Sequence, residues 1–388
     1  MIPLVDTYKT DFREPHQFSS RELLQSLAFE SIEQEASDIY LTSDRQVSIG
    51  VHGRLRSLTE RRISTEEILQ LINWATGNNG ESSSIAQGKE VVGSYSFADR
   101  NARDARGEFV RKRFRVNATR IEYRGTLGVQ LVMRIIPSEL PRIETLGLDP
   151  ALLEAMTPKD GIIYITGATG SGKSTTFAGV NRYILEGDTA IKGNINIYES
   201  PIEFIYDTIE SDHSILTQSE VPRDIGSFAL GIRTSMRRSP KLIVIGETRD
   251  WDTASASIEA STTGHPVFTT LHTTNVKSIP SRLMSLAPTE EQSKALYDIL
   301  SSSRVWINQV LAPSVDGRRT PLREYLIVTD DLRDVLLKTP ADRVTSVVGA
   351  MVNDCGVSMA TAAMQALERG LISEAVARTY QPKLSVRS

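Results

Sequence analysis

The chain has 388 residues, a net charge of −4, 40% hydrophobic residues and 24% charged residues. This balance excludes a disordered, collagen-like or fibrous protein, and the length predicts two or three domains whose cores need no staples. A single cysteine, Cys355, excludes an internal disulfide and a thiolate metal cluster, and is expected to be a small buried hydrophobe. The opening residues carry acids and prolines without an apolar stretch, so no secretory leader is expected. No apolar run approaches the ~18 residues of a spanning helix, so the chain is expected to be soluble, or peripheral to a membrane through a partner.

Residues 20–40 begin with helical spacing, Leu23, Leu24, Leu27 and Ile32 sharing a face, and then turn strand-like through IYLTS, QVSIGVHG and RLRSL. Ser64, with Glu67 three residues on, predicts a capped helix over 65–74. Residues 77–90 are polar and rich in Gly and Ser, which predicts a loop. FVRKRFRVNATRI and GVQLVMRII alternate as strands. Together these make a small α+β domain over 15–137. Pro137 and Pro141 mark a linker, assigned to 138–150. Short continuous apolar runs follow at 161–166, 195–198, 241–246 and 266–272, most of them leading through a polar turn into a helical stretch. Buried parallel strands alternating with helices read this way, so 151–388 is predicted to be an α/β domain. Its tail, from about 289, is predicted to be mostly helical, with Gly356 and Gly370 as punctuation.

Gly167, Ala168, Thr169, Gly170, Ser171, Gly172, Lys173 and Ser174 fit the phosphate-loop pattern, between the apolar strand 161–166 and a predicted helix. Glycines let backbone N–H groups wrap a phosphate, and the helix N-terminus adds positive potential. Lys173 is expected to reach the β- and γ-phosphates of a nucleotide and Ser174 to ligate Mg²⁺. Glu247 ends the strand 241–246, where a carboxylate can hold the water shell of that ion. Glu199 ends another strand and can orient or deprotonate an attacking water; Glu203, two residues past Pro201, divides evenly between a structural and a functional role. His265 and His272 flank the strand 266–271, and either can contact a γ-phosphate. Zinc is disfavoured there by the absence of cysteine and of helical His spacing. His16, His52 and His213 have no such setting and are read as structural.

Between Arg100 and Arg134 there are ten Lys/Arg against three Asp/Glu. Strand alternation puts Arg113 and Arg115 on one face, and Arg134 falls on the next strand. Such arginines can stabilise charge on a transferred phosphoryl group. Phe109 and Phe114 interleave with the basic residues, so a nucleic-acid surface stays open, as does a solvated basic face.

GATGSGKST, YESPIEF, GETRD and TGHPVFTTLHTTN occur in that order, preceded by QEASDIYLTS, VHGRL, RFRVNA and MRIIPSE. In this the chain resembles the secretion-ATPase superfamily, the PilT-like, type II and type IV secretion ATPases, from about residue 20 to 378. Ser200, where retraction ATPases carry Asp, together with QSEVPR, MRRSPKLI and LREYL, resembles the DotB-like branch of Dot/Icm and IncI-type conjugation ATPases. The tetracysteine motif of type II assembly ATPases and the AIRNLIRE motif of retraction ATPases are not found.

The resemblance implies a RecA-like ATPase domain with a parallel sheet, preceded by a PAS-like domain. It implies a homo-hexamer that binds ATP and Mg²⁺ between those domains, with the phosphates on 167–175, Thr175 included. It matches Glu199 to the catalytic glutamate, Glu247 to the Walker B glutamate, His265 and His272 to the histidine box, and Arg115 and Arg134 to phosphate-contacting arginines, with Arg113 as a near alternative. The implied partners are inner-membrane secretion-channel components. The ATPase would be cytoplasmic and peripheral to that membrane without inserting in it, and nucleic acid would enter only as indirect cargo. Pilus retraction, and an ATP-gated nucleic-acid-binding protein, are the competing functions.

Overall fold

The structure, a computed structural model, describes residues 13–381 apart from 19, 104–106 and 138. Most of the N-terminal stretch in which no leader is expected therefore lies outside the described residues. So do Arg106 of the basic region, position 138 of the linker and the tail from 382. The chain divides into two compact units, with the boundary between Glu139 and Leu140.

The first unit is a six-stranded antiparallel sheet in the order β3-β2-β1-β6-β5-β4. Its strands are β1 (Ala36–Thr42), β2 (Arg45–Val51), β3 (Arg54–Ile63), β4 (Val91–Arg103), β5 (Phe109–Tyr123) and β6 (Thr126–Ile136). Helices α1 (Arg21–Glu33), α2 (Thr65–Thr76) and α3 (Glu81–Ala86) cover one face. Leu24 and Leu27 of α1 and Ile68, Leu71 and Ile72 of α2 are fully buried against Ile39, Leu41, Phe114, Val116, Leu131 and Met133. Each such side chain contributes about 1.5–3 kcal/mol of transfer free energy. The unit is the smaller α+β module expected, and is compatible with a PAS-like domain. The loop predicted over 77–90 is corrected: it contains α3, a helix whose only buried side chain is Ile85 and which therefore shows no periodicity.

Ser64 and Glu67 form the expected capping box on α2. Glu67 is buried and does more than cap. It accepts from Arg61 at 2.7 and 3.1 Å and from the Phe18 N–H at 2.7 Å. Burial alone would raise its pKa, but these donors and the Ser64 N–H hold it below the ordinary glutamate value. Glu67→Ala should cost about 3 kcal/mol in urea unfolding, because it leaves the Phe18 and Ser64 N–H groups without their acceptor and takes from Arg61 its 2.7 Å carboxylate partner. The stabilisation is present above the unfolded carboxyl pKa and is lost as pH falls through the depressed folded one, so wild type and variant should converge in acid.

The second unit is a seven-stranded sheet in the order β13-β12-β7-β11-β10-β8-β9. Its strands are β7 (Gly161–Thr166), β8 (Asn194–Glu199), β9 (Ile215–Glu220), β10 (Pro240–Ile245), β11 (Pro266–Leu271), β12 (Ser303–Pro313) and β13 (Arg319–Ile327). Every pairing is parallel except β12 with β13. Its helices are α4 (Pro150–Ala155), α5 (Lys173–Glu186), α6 (Phe228–Ser235), α7 (Trp251–Thr262), α8 (Ile279–Met284), α9 (Gln292–Ser302), α10 (Asp330–Leu337), α11 (Val344–Asp354), α12 (Met359–Glu368) and α13 (Glu374–Arg378).

All six residues of β7 are buried. Ile163 and Ile165 pack with Phe177 and Ile184 of α5, while Ile162 and Tyr164 join Ala254 of α7 and Ile299 of α9 on the other side. A strand covered on both faces must read as a continuous apolar run, which is why 161–166 was legible. The fold is the RecA-like α/β sheet expected.

Two expectations are corrected in this unit. The helices of the tail are interrupted, because residues 303–327 form the β12–β13 hairpin and add two strands beside β7. Cys355 is exposed rather than buried: it follows the last residue of α11, where the chain turns at Gly356, and its Sγ donates to the Met351 carbonyl at 3.2 Å. Residues 140–149, assigned to the linker, pack into this unit through Leu140, Leu146 and Leu148.

Candidate active site

Residues 167–172 turn from the end of β7 into α5. Gly167, Gly170 and Gly172 have φ of +144, +78 and +83°. A Cβ on Gly167 would lie 2.3 Å from the Gln309 carbonyl oxygen, whereas one on Gly170 would meet nothing within 4 Å. The first glycine is thus demanded by close packing as well as by conformation, and the middle one by conformation over an open cradle. Ala168, Thr169 and Gly170 form an exposed rim, Ser171 and Lys173 are buried, and Ser174 and Thr175 are half-buried on the first turn of α5.

The Lys173 Nζ donates to the Gly167 and Ala168 carbonyls at 2.9 and 3.0 Å. Burial depresses its pKa, and Glu247 and Glu203 act against that depression. Glu203 is therefore one of two carboxylates within electrostatic reach of the loop lysine, a stronger position than its sequence setting indicated.

Glu199 ends β8 and Glu247 follows β10. These strands are parallel neighbours, Tyr198 standing opposite Ile245, so both carboxylates leave the sheet at the same edge as the phosphate loop. Gly246 makes this approach possible: a Cβ there would lie 3.3 Å from the Glu199 Cα. Glu199 is half-buried, and its Oε2 accepts from Gln218 at 3.4 Å. The buried Tyr206 hydroxyl has a pKa raised by burial and further by the Glu199 charge.

His272 follows β11, with its Nε2 3.8 Å from the Glu247 Oε1. His265 precedes β11 and is not brought to this edge. A six-residue strand separates the two rings by roughly 20 Å. His265 instead packs at the end of α7, its Nδ1 3.1 Å from the Thr263 hydroxyl and 3.2 Å from the Ala260 carbonyl. His52 pairs with Glu35 at 3.2 Å and His213 bonds Ser214 and the Gly187 carbonyl, ordinary local roles.

In the first unit, Arg115 and Arg134 are direct cross-strand partners, and Asp38 stands opposite Arg134 on the next strand. Because Phe114, Val116 and Met133 face the helices, Arg113, Arg115 and Arg134 lie on the other face of the sheet. The Arg134 Nε donates to the Asp38 Oδ1 at 2.8 Å. Like charges directly opposite repel, and the aspartate offsets part of that repulsion.

Sequence reasoning missed the residues that support the loop from β12 and β13. The Gln309 Nε2 donates to the Ser171 carbonyl at 2.7 Å, while its Oε1 accepts from Thr176 and Arg323, each at 2.8 Å. On the opposite strand face, Asn308 donates to the Thr274 carbonyl at 3.1 Å and so holds the turn after His272. The available signal was a pair of polar residues inside each apolar run: Asn308-Gln309 in VWINQVL and Arg323-Glu324 in LREYLIV.

The residues fit a phosphate with its metal ion. Ser171 Oγ is buried without a hydrogen-bond partner, Gly170 borders an open cradle, and the Ser174 hydroxyl and Glu247 carboxylate are the hard oxygen donors that Mg²⁺ takes. A phosphate loop and strand-end carboxylates along one edge of a RecA-like sheet place the chain in the class of P-loop nucleotide-binding proteins.

Comparison with known proteins narrows the class. Residues 106–378 match the family model described as type II/IV secretion system protein. The type IV pilus retraction ATPase PilT of Pseudomonas aeruginosa is 30% identical over 360 residues, 92% of this chain and 97% of that protein. The structure of the ATPase DotB from Legionella pneumophila superposes with a TM-score of 0.84 at 38% identity, covering 95% of this chain and 97% of that one. DotB from Yersinia pseudotuberculosis gives 0.89 at 35% identity, with 98% of both chains covered. The chain belongs to the type II/IV secretion system protein family, whose members include secretion and pilus ATPases.

Proposed function

We propose that the chain hydrolyses ATP as a homo-hexameric ring and powers a type IVB secretion system of the Dot/Icm or IncI conjugation kind. The observation that carries the hydrolytic part is the gathering of Lys173, Glu199, Glu247 and His272 at the carboxyl ends of four parallel strands. The higher identity to the two DotB structures than to PilT supports the system.

In this reading the N–H groups of 167–175 and the Lys173 ammonium bind the β- and γ-phosphates. Lys173 exchanges the Gly167 and Ala168 carbonyls for phosphate oxygens. Glu199 orients water and accepts its proton as the new P–O bond forms and the bond to the leaving ADP oxygen breaks. Ser174, and Glu247 through water, would hold Mg²⁺, which would neutralise phosphate charge. Glu247, 3.8 Å from the His272 Nε2, also holds that ring at the same edge of the sheet. Arg115 and Arg134 are the arginines assigned to the phosphates in this reading. His265 has no role in this cradle, given its distance from His272.

Among the described residues no helix is long and apolar enough to cross a membrane. The proposed location is cytoplasmic, peripheral to the inner membrane through channel components, with nucleic acid only as indirect cargo.

Mg-ATP turnover per protomer should rise with protein concentration and then plateau, with Lys173→Ala as blank. Linear turnover with no such rise would remove the ring from the mechanism. The gene should restore transfer to a strain lacking its Dot/Icm or conjugation ATPase. Restoration of twitching alone would assign the chain to pilus retraction instead. Arg115→Ala/Arg134→Ala should lower turnover by ~10³-fold. Full turnover with lost, salt-sensitive DNA retention would make the basic face a nucleic-acid surface.

A further inference from the structure

Under the phosphate loop lies a polar clamp that nucleotide chemistry by itself does not require. Arg323 is buried, and among the described residues no carboxylate lies within ion-pair distance of it. Burial pushes its pKa down to about 10. A cation placed so is costly unless its donors are used, and here they are used on neutral oxygens. The Nε donates to Gln309 Oε1 at 2.8 Å, the Nη2 to the Thr176 hydroxyl at 3.4 Å, and the Nη1 to the Leu146 and Gly147 carbonyls at 2.8 and 3.4 Å.

Gln309 stands directly opposite Arg323 in the β12–β13 ladder and passes the connection on, through its Nε2, to the Ser171 carbonyl. A continuous hydrogen-bonded chain therefore runs from residues 146–147, through Arg323 and Gln309, to the heart of the loop. Both ends are pressed against their neighbours. A Cβ on Gly167 would lie 2.3 Å from the Gln309 carbonyl oxygen, and one on Gly179 of α5 would lie 2.4 Å from the Leu146 Cδ1. Packing this close leaves no slack, so a displacement at one end is transmitted.

We propose that Arg323 and Gln309 are positioning residues that couple phosphate binding on 167–175 to residues 143–149, near the start of the second unit. The inference rests on reading 167–175 as the nucleotide site. A phosphate draws Lys173 off the Gly167 and Ala168 carbonyls and so resets the loop. Gln309 holds that loop by its next turn, and Arg323 carries the adjustment to the carbonyls at 146 and 147. The nucleotide state is thereby read at residues 143–149 through the clamp.

The test is amide hydrogen exchange on the full chain with and without saturating ADP and Mg²⁺. It is run on wild type, Arg323→Met and Gln309→Met, beside fluorescent-ADP affinity and melting temperature. In wild type, nucleotide should slow exchange over 143–149. Each variant should bind ~10-fold more weakly, and at saturation should lose the change over 143–149 while keeping that over 167–175. The double variant should be no worse than either single one, because the two residues act as a unit. Variants that melt lower yet keep wild-type affinity and the wild-type change over 143–149 would reduce the clamp to a structural contact and overturn the proposal. So would a wild type that binds ADP with no change over 143–149, a result that holds even if Arg323→Met fails to fold. A wild type that binds no nucleotide would instead sink the functional reading, and this inference with it.

Discussion

Lys173→Ala should lower ATP turnover by ~10³-fold or more and weaken nucleotide binding with it, read by phosphate release and by fluorescent-nucleotide titration. The ammonium is buried, and its two protein partners are backbone carbonyls of the same loop, at 2.9 and 3.0 Å. Those carbonyls take two of its three donors but carry no full charge. A triphosphate offers the same donors anionic oxygens, so binding exchanges neutral hydrogen bonds for charge-assisted ones. Alanine forfeits that gain in the ground state and again as charge builds on the departing phosphate. The pH dependence has a defined sign. Burial depresses the Lys173 pKa, so nucleotide affinity should fall on the alkaline side earlier than an ordinary lysine would allow. The variant should lack that alkaline limb. A variant with an unchanged limb would assign the titration to another group.

Glu199→Gln should separate binding from chemistry. Turnover should drop by ~10²–10⁴-fold, the range for a lost general base, while ADP affinity stays within about twofold of wild type. Glutamine keeps the shape and can still receive the 3.4 Å hydrogen bond from Gln218, but it cannot take a proton from water. The charges that act on Lys173 include those of Glu203 and Glu247, and the substitution leaves both in place. Retained turnover in Glu199→Gln, with loss in Glu203→Gln, would move the base two residues along the chain.

The parts of this molecule that could be read from sequence are those in which local pattern and tertiary role agree. The run 161–166 is apolar throughout because both of its faces are covered, and the glycine pattern after it has a backbone reason at each position. Ser64 and Glu67 announce α2 because a capping box is a local device. Where tertiary contacts override local pattern, the sequence misleads. Asn308, Gln309 and Arg323 interrupt their strands with buried polar groups whose partners lie more than 30 residues away, at Thr274, Ser171 and Leu146. No periodicity reveals such partners. His265 and His272 flank one strand, and because that strand is extended only His272 stands at its carboxyl end, beside Glu247. Cys355 shows the limit of a composition rule, since its exposure is set by the turn at the end of α11.

The β12–β13 hairpin also bears on how the protein is made. The bond from Gln309 to Ser171 spans 138 positions, and that from Arg323 to Leu146 spans 177. A nascent chain that has just finished the phosphate loop has β7 without its β12 neighbour, an open apolar edge of the kind that pairs with other chains. Residues 309 and 323 must leave the ribosome before the cradle is braced. At synthesis rates of roughly 5–20 residues per second, that interval lasts many seconds. Incomplete or prematurely ended chains would carry the whole loop sequence yet lack its brace.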